Sequence, residues 1–484
     1  MSLQLPGRLF SAPTQCHLAG RLRGHRIMKR TVIFLATLSA VLAALPLAAA
    51  QKPNIVLFVA DDMGFADCGV YGCKDIPTPN IDALARNGVR FTQAYTSGCV
   101  CSPTRAGLMT GRYQQRFGFD ANAEGKGPSH KGPRALDIQQ VTFAQHMKAL
   151  GYATAIFGKW HLGAEPGYLP SQRGFDEFYG FLPFGIAAGG SNGAPIYRGT
   201  NLVERPANHM EQFCAEALSF IDRRQQEPFF LYLPFPAVHG PMVGPEPWLT
   251  RLDGVVPMNR RKYAADLAQM DDVIGRVMAR LRERGLEDKS LVFFLGDNGG
   301  QGGASNNGVL RGTKWTLWDG GIHVPFVAQW KGRIPAGRVL EHPVIQVDIL
   351  PTAIAAAGAE IKPEWKLDGV NLLPCLEGRT TTAPHDALYW RFGVQYAIRQ
   401  GEWKLVKPHI NSEPLLFNLT QDPGEKSDLA SAQPQKAKQL QTLWDTWNAS
   451  NEPPRWIDLR WNGDGWRTPK TAPQQGKAPE TNNK

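Results

Sequence analysis

Four short apolar runs rich in β-branched and aromatic residues, 54–60, 152–157, 229–234 and 291–295, constrain the fold more than any other feature of this chain. Polar residues scarcely interrupt them, the pattern of strands covered on both faces in a parallel sheet rather than strands with one wet side. Helical patterns lie between them. Pro79 opens one over 80–87, and a second spans 139–150. The clearest covers 260–284, where Tyr263, Leu267, Met270, Ile274, Val277 and Leu281 form one apolar stripe that stops before Gly285. Strands alternating with helices predict an α/β fold: a large, mostly parallel sheet sandwiched by helices.

The texture changes after about Cys375. Residues 387–392, 396–399 and 403–406 read as short antiparallel strands, followed by a helix over 434–447 with Leu440, Leu443, Trp444 and Trp447 on one face. The expectation is a catalytic domain over 51–375, a smaller C-terminal α+β domain over 376–467 and a polar, disordered tail over 468–484.

Six of the ten excess positive charges lie in residues 1–50 (Arg8, Arg21, Arg23, Arg26, Lys29 and Arg30, with no acid), leaving only +4 for the remainder. No dense Lys/Arg tract follows, so a nucleic-acid partner is not expected. Met28-Lys29-Arg30, the apolar run 31–45 and Ala48-Ala49-Ala50 have the three parts of a secretory signal peptide. Residues 28–50 are therefore read as that peptide, and 1–27 as an upstream leader or mis-assigned start. The expected location is periplasmic or secreted, with no membrane span kept after cleavage. Cys68 and Cys73 are close enough in sequence to pair. Cys99-Val100-Cys101 lacks further ligands at zinc-site spacing.

In an open α/β sheet, ligands gather beyond the carboxyl ends of the strands. There the four runs deliver Asp61-Asp62, Lys159-Trp160-His161, His239, and Asp297-Asn298. Singly these are ordinary caps, turns and structural histidines. Together Asp61, Asp62, Asp297 and Asn298 offer hard oxygen ligands suited to calcium, and carboxylates so crowded would repel one another without a cation. Cys101-Ser102-Pro103-Thr104-Arg105 reads as a helix start, with Ser102 as cap and Pro103 at the first helical position. Local chemistry leaves two readings of Cys101: a structural cysteine before a capped helix, or a nucleophile in the positive potential of a helix N-terminus beside Arg105.

The stretch from Cys101 to Tyr113 resembles the extended Cys-X-Pro-X-Arg signature of the type I, formylglycine-dependent sulfatases of the alkaline phosphatase superfamily. Gly158-Lys159-Trp160-His161-Leu162-Gly163, Asp61-Asp62, Asp297 to Gly300, Arg311-Gly312-Thr313-Lys314 and the late run Leu416 to Glu425 resemble further elements of that family, in the same order. The resemblance implies that a separate maturation enzyme oxidises Cys101 to Cα-formylglycine. Its hydrate attacks sulfur with one hydroxyl and releases sulfate by means of the other. Asp61, Asp62, Asp297 and Asn298 would then hold one Ca2+ together with position 101, which Arg105 orients. Lys159 and Lys314 would neutralise the transferring group, and Asp297 would take the proton of the attacking hydroxyl. His239, with Lys314, would protonate the leaving oxygen, and His161 would assist elimination. The implied substrate is a sulfated carbohydrate or aryl sulfate. A phosphomonoester or phosphonate monoester hydrolase, and a silent sulfated-glycan binder, are the alternatives. Thr104, where many relatives have serine, and the extra thiol of Cys99 depart from the pattern. Arg173, His209, Trp315 and Trp318 are pocket candidates with competing structural readings.

Overall fold

The computed structural model describes residues 52–123, 133–182 and 194–456. The expected leader over 1–27, signal peptide over 28–50 and tail over 468–484 lie outside the described residues.

Sixteen strands are found among the described residues. In chain order they begin with β1 (Asn54–Ala60), β2 (Val89–Phe91), β3 (Ala94–Tyr95), β4 (Ala153–Lys159) and β5 (Glu177–Phe181). Next come β6 (Ile196–Arg198), β7 (Asn201–Val203), β8 (Phe229–Pro234), β9 (Ser290–Gly296), β10 (Phe326–Gln329), β11 (Arg338–Leu340) and β12 (Val344–Ile345). The C-terminal four are β13 (Leu388–Phe392), β14 (Gln395–Gln400), β15 (Trp403–Lys407) and β16 (Leu415–Asn418).

Ten of them form one sheet in the order β11-β2-β10-β9-β1-β8-β4-β5-β6-β7. The four apolar runs of the sequence are its centre: β9, β1, β8 and β4 are neighbours and all parallel. The sheet is mixed at its flanks, where β10 runs antiparallel to β9 and β6 antiparallel to β5. Each of the four central strands is buried along its whole length. Ile55, Leu57 and Val59 of β1 face one hydrophobic core, while Val56, Phe58 and Ala60 face another. Such full burial is worth about 1.5–3 kcal/mol per large apolar side chain and explains why no polar alternation is visible.

Helix Met258–Glu283 packs its apolar stripe into the second core, beside helix His209–Arg224. Helices Cys101–Thr110 and Phe143–Ala149 cover the opposite face. The latter starts later than its sequence pattern suggests because Thr142 and Gln145 form a reciprocal capping box. Among the described residues no helix is long and apolar enough to cross a membrane.

Backbones approach closely where β4 leaves the sheet. Gly158 lies opposite Gly180 of β5. A Cβ on Gly180 would stand 1.8 Å from the Gly158 carbonyl oxygen, and one on Gly158 would stand 2.1 Å from that of Pro234. Neither position admits a side chain.

Strands β13 to β16 form a separate antiparallel sheet. Its aromatic core includes Trp390, Trp444 and Trp447, and is shared with Tyr95, Cys99, Trp315 and Trp318. The first three strands match the sequence reading, whereas β16 overlaps the start of the run recognised only by its family resemblance. None of the six described cysteines, Cys68 and Cys73 included, is in a disulfide.

Candidate active site

The carboxyl ends of β1, β4, β8 and β9 converge, as Asp61, Asp62, Lys159, His161, His239, Asp297 and Asn298 follow or end these strands. Asp61 is tied to the chain after β8 in both directions: its N–H donates to Ala237 O, and its oxygen accepts from Val238 N. Asp297 N–H donates to Ala60 O at 2.9 Å. Asp62 and His161 hold φ values of 62° and 63°, in the left-handed region that non-glycine residues seldom occupy. Conformations like these persist only where the surroundings enforce them, and they cluster at functional sites.

Helix Cys101–Thr110 points its N-terminus into this convergence, and each of its residues is buried. It begins two residues earlier than the sequence suggests, with Val100 as the N-cap. Ser102 is therefore not the cap; its hydroxyl donates instead to His161 O at 2.9 Å, pinning the turn after β4 to the helix. The Cys101 thiol donates to Asp61 Oδ1 at 3.2 Å and lies 3.8 Å from Asp62 Oδ1. Cys99 turns away into the aromatic core under the small sheet.

Three carboxylates meet three cations here. Lys159 Nζ is 2.5 Å from Asp61 Oδ2, and Lys314 Nζ is 2.7 Å from Asp62 Oδ1. Arg105 donates from Nε and Nη2 to Asp297 Oδ2 at 3.0 and 2.8 Å, and from Nη1 to Lys159 O. His239 Nε2 stands 3.5 Å from Asp62 Oδ2, while its Nδ1 is 2.6 Å from Gly240 O. All are buried except His239, which is partly open.

Burial alone would raise Asp61 and Asp62. The neighbouring cations, led by Lys159 for Asp61 and by Lys314 for Asp62, hold both below the ordinary carboxylate value. Asp297 is pushed up to about 6 by burial and the Asp61 charge, against the pull of Arg105. Burial, then Asp297 and Asp61, push the Cys101 thiol far up, so the unmodified side chain is a protonated thiol and a weak nucleophile. Burial and then Lys314 lower His239.

Asp61, Asp62, Cys101 and His239 each place one ligand atom within 4.8 Å of the others, a group able to hold a metal ion. Asp297 stands back from this group, with Oδ2 on Arg105 and Oδ1 accepting from Asp62 N. Asn298 turns its amide nitrogen to Asp62 Oδ1 at 2.8 Å, while its Oδ1 is buried without a hydrogen-bond partner. An orphaned oxygen beside two carboxylates fits an oxygen-liganded cation such as calcium.

A cleft of about 300 Å³ opens beside Asp62, lined by Met242, Asn259, Tyr263, Gln301 and Ser305 among others. Sequence reasoning missed these residues. Gln301 directly follows the Asp-Asn-Gly-Gly element and Ser305 comes shortly after it, the one signal that could have found them. The earlier pocket candidates lie elsewhere. Arg173 is spent on the carbonyls of Leu136, Asp137 and Gln140, and His209 accepts from Arg205 Nε. Trp315 N donates to Cys99 O, and Trp318 lies under the Arg311 guanidinium.

A family model described as Sulfatase matches residues 53–359, and one described as N-sulphoglucosamine sulphohydrolase, C-terminal, matches residues 313–451. The chain is 32% identical to N-acetylgalactosamine-6-sulfatase of Canis lupus familiaris, over 83% of this chain and 87% of that protein. Arylsulfatase A of Homo sapiens is 34% identical, over 82% and 88% respectively. The crystal structure of Ps i-CgsB in complex with k-i-k-neocarrahexaose superposes with a TM-score of 0.78 at 31% identity, covering 86% of this chain and 97% of that one.

Proposed function

The chain belongs to the sulfatase family of sulfuric ester hydrolases, and from that premise we propose that it is an exported, calcium-dependent enzyme removing sulfate from sulfated carbohydrates, with a nucleophile made from Cys101. The observation that carries this reading is the meeting of Cys101, Asp61, Asp62 and His239 within 4.8 Å at a helix N-terminus ringed by Lys159, Lys314 and Arg105. The carboxylates suit a cation and the ammonium groups beside them suit an anion, which is what a metal-assisted sulfate ester hydrolase requires.

Asp61, Asp62, Asp297 and Asn298, with position 101, would hold one calcium ion. When bound, calcium supplies a Lewis acid and a template for sulfate oxygens. The hydrated aldehyde of formylglycine supplies a hydroxyl nucleophile with a second hydroxyl through which sulfate can leave, an exit that a serine ester lacks. Arg105 fixes Asp297 from behind, leaving Asp297 able to accept the proton of the attacking hydroxyl. Lys159 and Lys314 offset charge on the sulfuryl oxygens. His239, partly exposed and flanked in sequence by the cleft residues Val238 and Gly240, protonates the departing sugar oxygen with help from Lys314, and His161 assists the elimination of sulfate.

Two relatives support a carbohydrate substrate: one carries the name N-acetylgalactosamine-6-sulfatase, and Ps i-CgsB was solved with a neocarrahexaose. The cleft beside Asp62 and His239 would take the sugar. Because residues 101–105 are buried, a maturation enzyme would have to act on Cys101 before the fold closes. Export, to a periplasmic or secreted location, rests on residues 28–50, and the division into 51–375 and 376–467 belongs to the same proposal.

Mass spectrometry of the position-101 peptide from active protein, alongside sulfate release from sulfated oligosaccharides with and without a calcium chelator, tests the reading. The expected result is an aldehyde and calcium-dependent release; a thiol at position 101 in active enzyme overturns it.

A further inference from the structure

The small C-terminal sheet contributes no group to the cluster around Cys101, yet it grips the loop that carries Lys314 at four points. Gln395, in β14, donates from Nε2 to Trp315 O at 3.0 Å and accepts from Leu317 N at 3.3 Å. One buried amide thus brackets the chain just after Lys314. Glu425, beyond β16, holds the two ends of the same loop. Its backbone oxygen accepts from Arg311 Nη1 at 2.7 Å, and its Oε2 accepts from Asp319 N at 2.8 Å. Lys404, in β15, closes the arrangement with ion pairs to Asp319 Oδ1 at 2.6 Å and Glu425 Oε1 at 2.8 Å. Gln395, Lys404, Glu425 and Asp319 are all buried, and Glu425 holds its place at a φ of 51°, in the left-handed region.

A lysine has four rotatable side-chain bonds, so its ammonium is placed only if its backbone is fixed. Within the catalytic half, Lys314 is held by its N–H on Gly300 O at 3.0 Å and by its ion pair with Asp62. The remaining backbone anchors of residues 315–319 include the three that Gln395 and Glu425 supply. A misplacement of about 1 Å can cost a reaction on the order of 10²-fold.

We infer that Gln395 and Glu425 are positioning residues of the sulfatase reaction, acting through the 311–319 loop to hold the Lys314 ammonium where the sulfuryl group is transferred. This rests on the reading of Lys314 as a charge-stabilising residue. It gives the late Asp422-Pro423-Gly424-Glu425 element a part in the chemistry without contact with substrate.

The test is a double-mutant cycle on the matured full-length protein with p-nitrophenyl sulfate. Gln395→Ala is expected to lower kcat about tenfold with KM within about twofold. In a Lys314→Ala background the same change should cost no more than about twofold, because the residue it acts through is gone. A structural defect would give additive losses. Should Gln395→Ala fail to fold, Gln395→Met keeps the volume and removes both hydrogen bonds, and Glu425→Ala, which removes the oxygen that accepts from Asp319 N, provides the same readout from the other grip. Unchanged kcat in folded Gln395→Ala, or additive losses beside an impaired Lys314→Ala, overturns the positioning role. Normal turnover in Lys314→Ala instead overturns the reading of Lys314, and the inference falls with it.

Discussion

Two buried charge clusters lie on either side of the 311–319 loop, and they differ in what they leave open. Around Asp319 and Glu425 each carboxylate oxygen meets a cation or a donor: Lys404 takes one from each, and Tyr95 Oη–H and Asp319 N take the others. Around Asp61, Asp62 and Asp297 the carboxylates are also paired, but Asn298 Oδ1 is left over and a cleft opens beside Asp62. Burial of charge marks both regions, so burial alone does not identify a reactive one. The opening does. One cluster is built to hold two parts of the chain together, the other to receive a guest.

Variants should therefore divide into those that abolish turnover and those that loosen the fold. The largest effect is expected from Cys101→Ala, a loss of at least about 10⁴-fold in kcat, with urea unfolding moved by no more than about 1 kcal/mol. A comparable loss of stability would erase the contrast. Lys404→Ala should do the reverse: it strands Asp319 and Glu425 together and should cost about 3–5 kcal/mol in urea unfolding. Wild-type stability in that variant would break the comparison from the other side.

Lys314→Ala comes next, with about 2.7–4 kcal/mol of transition-state stabilisation lost from kcat/KM. Near-normal turnover would remove Lys314 from the site. Calcium at about 100 times its Kd should stabilise the protein by about 2.7 kcal/mol, read as a rise in melting temperature that chelation reverses and Asn298→Ala weakens. No calcium-dependent shift in wild type would sink the metal assignment.

The smallest effect concerns pH. Burial pushes the Glu425 carboxyl up to about 7 against the pull of Lys404, with the Asp319 charge adding to the rise. A raised folded value means that stability is fully present below the unfolded value near 4.5 and is lost as pH rises through about 7. Glu425→Gln, still facing Lys404, Asp319 and Arg311, should lack that decline, so its stability relative to wild type should improve from pH 5 to pH 8. Parallel melting curves across that range would contradict the assignment.

Much of the sheet's centre was legible because full burial writes itself into the sequence as unbroken apolar runs. The runs 54–60 and 229–234 coincide with β1 and β8, and 291–295 falls one residue short of β9 at each end. The flanking strands were not legible: β2, β6, β7 and β11 are three residues each, too short for any periodicity. Helix His209–Arg224 went unread although Asn208 caps it, because its seven buried positions are separated by many polar ones. At the site, the residues that follow strands were found because the strands were. The cleft residues Met242, Asn259 and Tyr263 were not, since they come from a loop and a helix that only the tertiary fold brings beside Asp62. Tyr263 read as core, and its hydroxyl does serve structure by donating to Asp67 Oδ2 at 2.6 Å.

The crowding at Gly158 and Gly180 bears on how the Gly-Lys-Trp-His signature would decay over time. Under the proposed function Lys159 and His161 are constrained by chemistry, so a descendant that no longer turned over substrate could let both drift. Gly158 is constrained by the carbonyl oxygen of Pro234 on one neighbouring strand, and Gly180 by that of Gly158 itself, so both glycines would be kept by a lineage that had lost the reaction and retained the sheet. The signature therefore carries two records with different lifetimes, and a chain that keeps this glycine pair without the lysine and histidine would be a former enzyme of the same architecture.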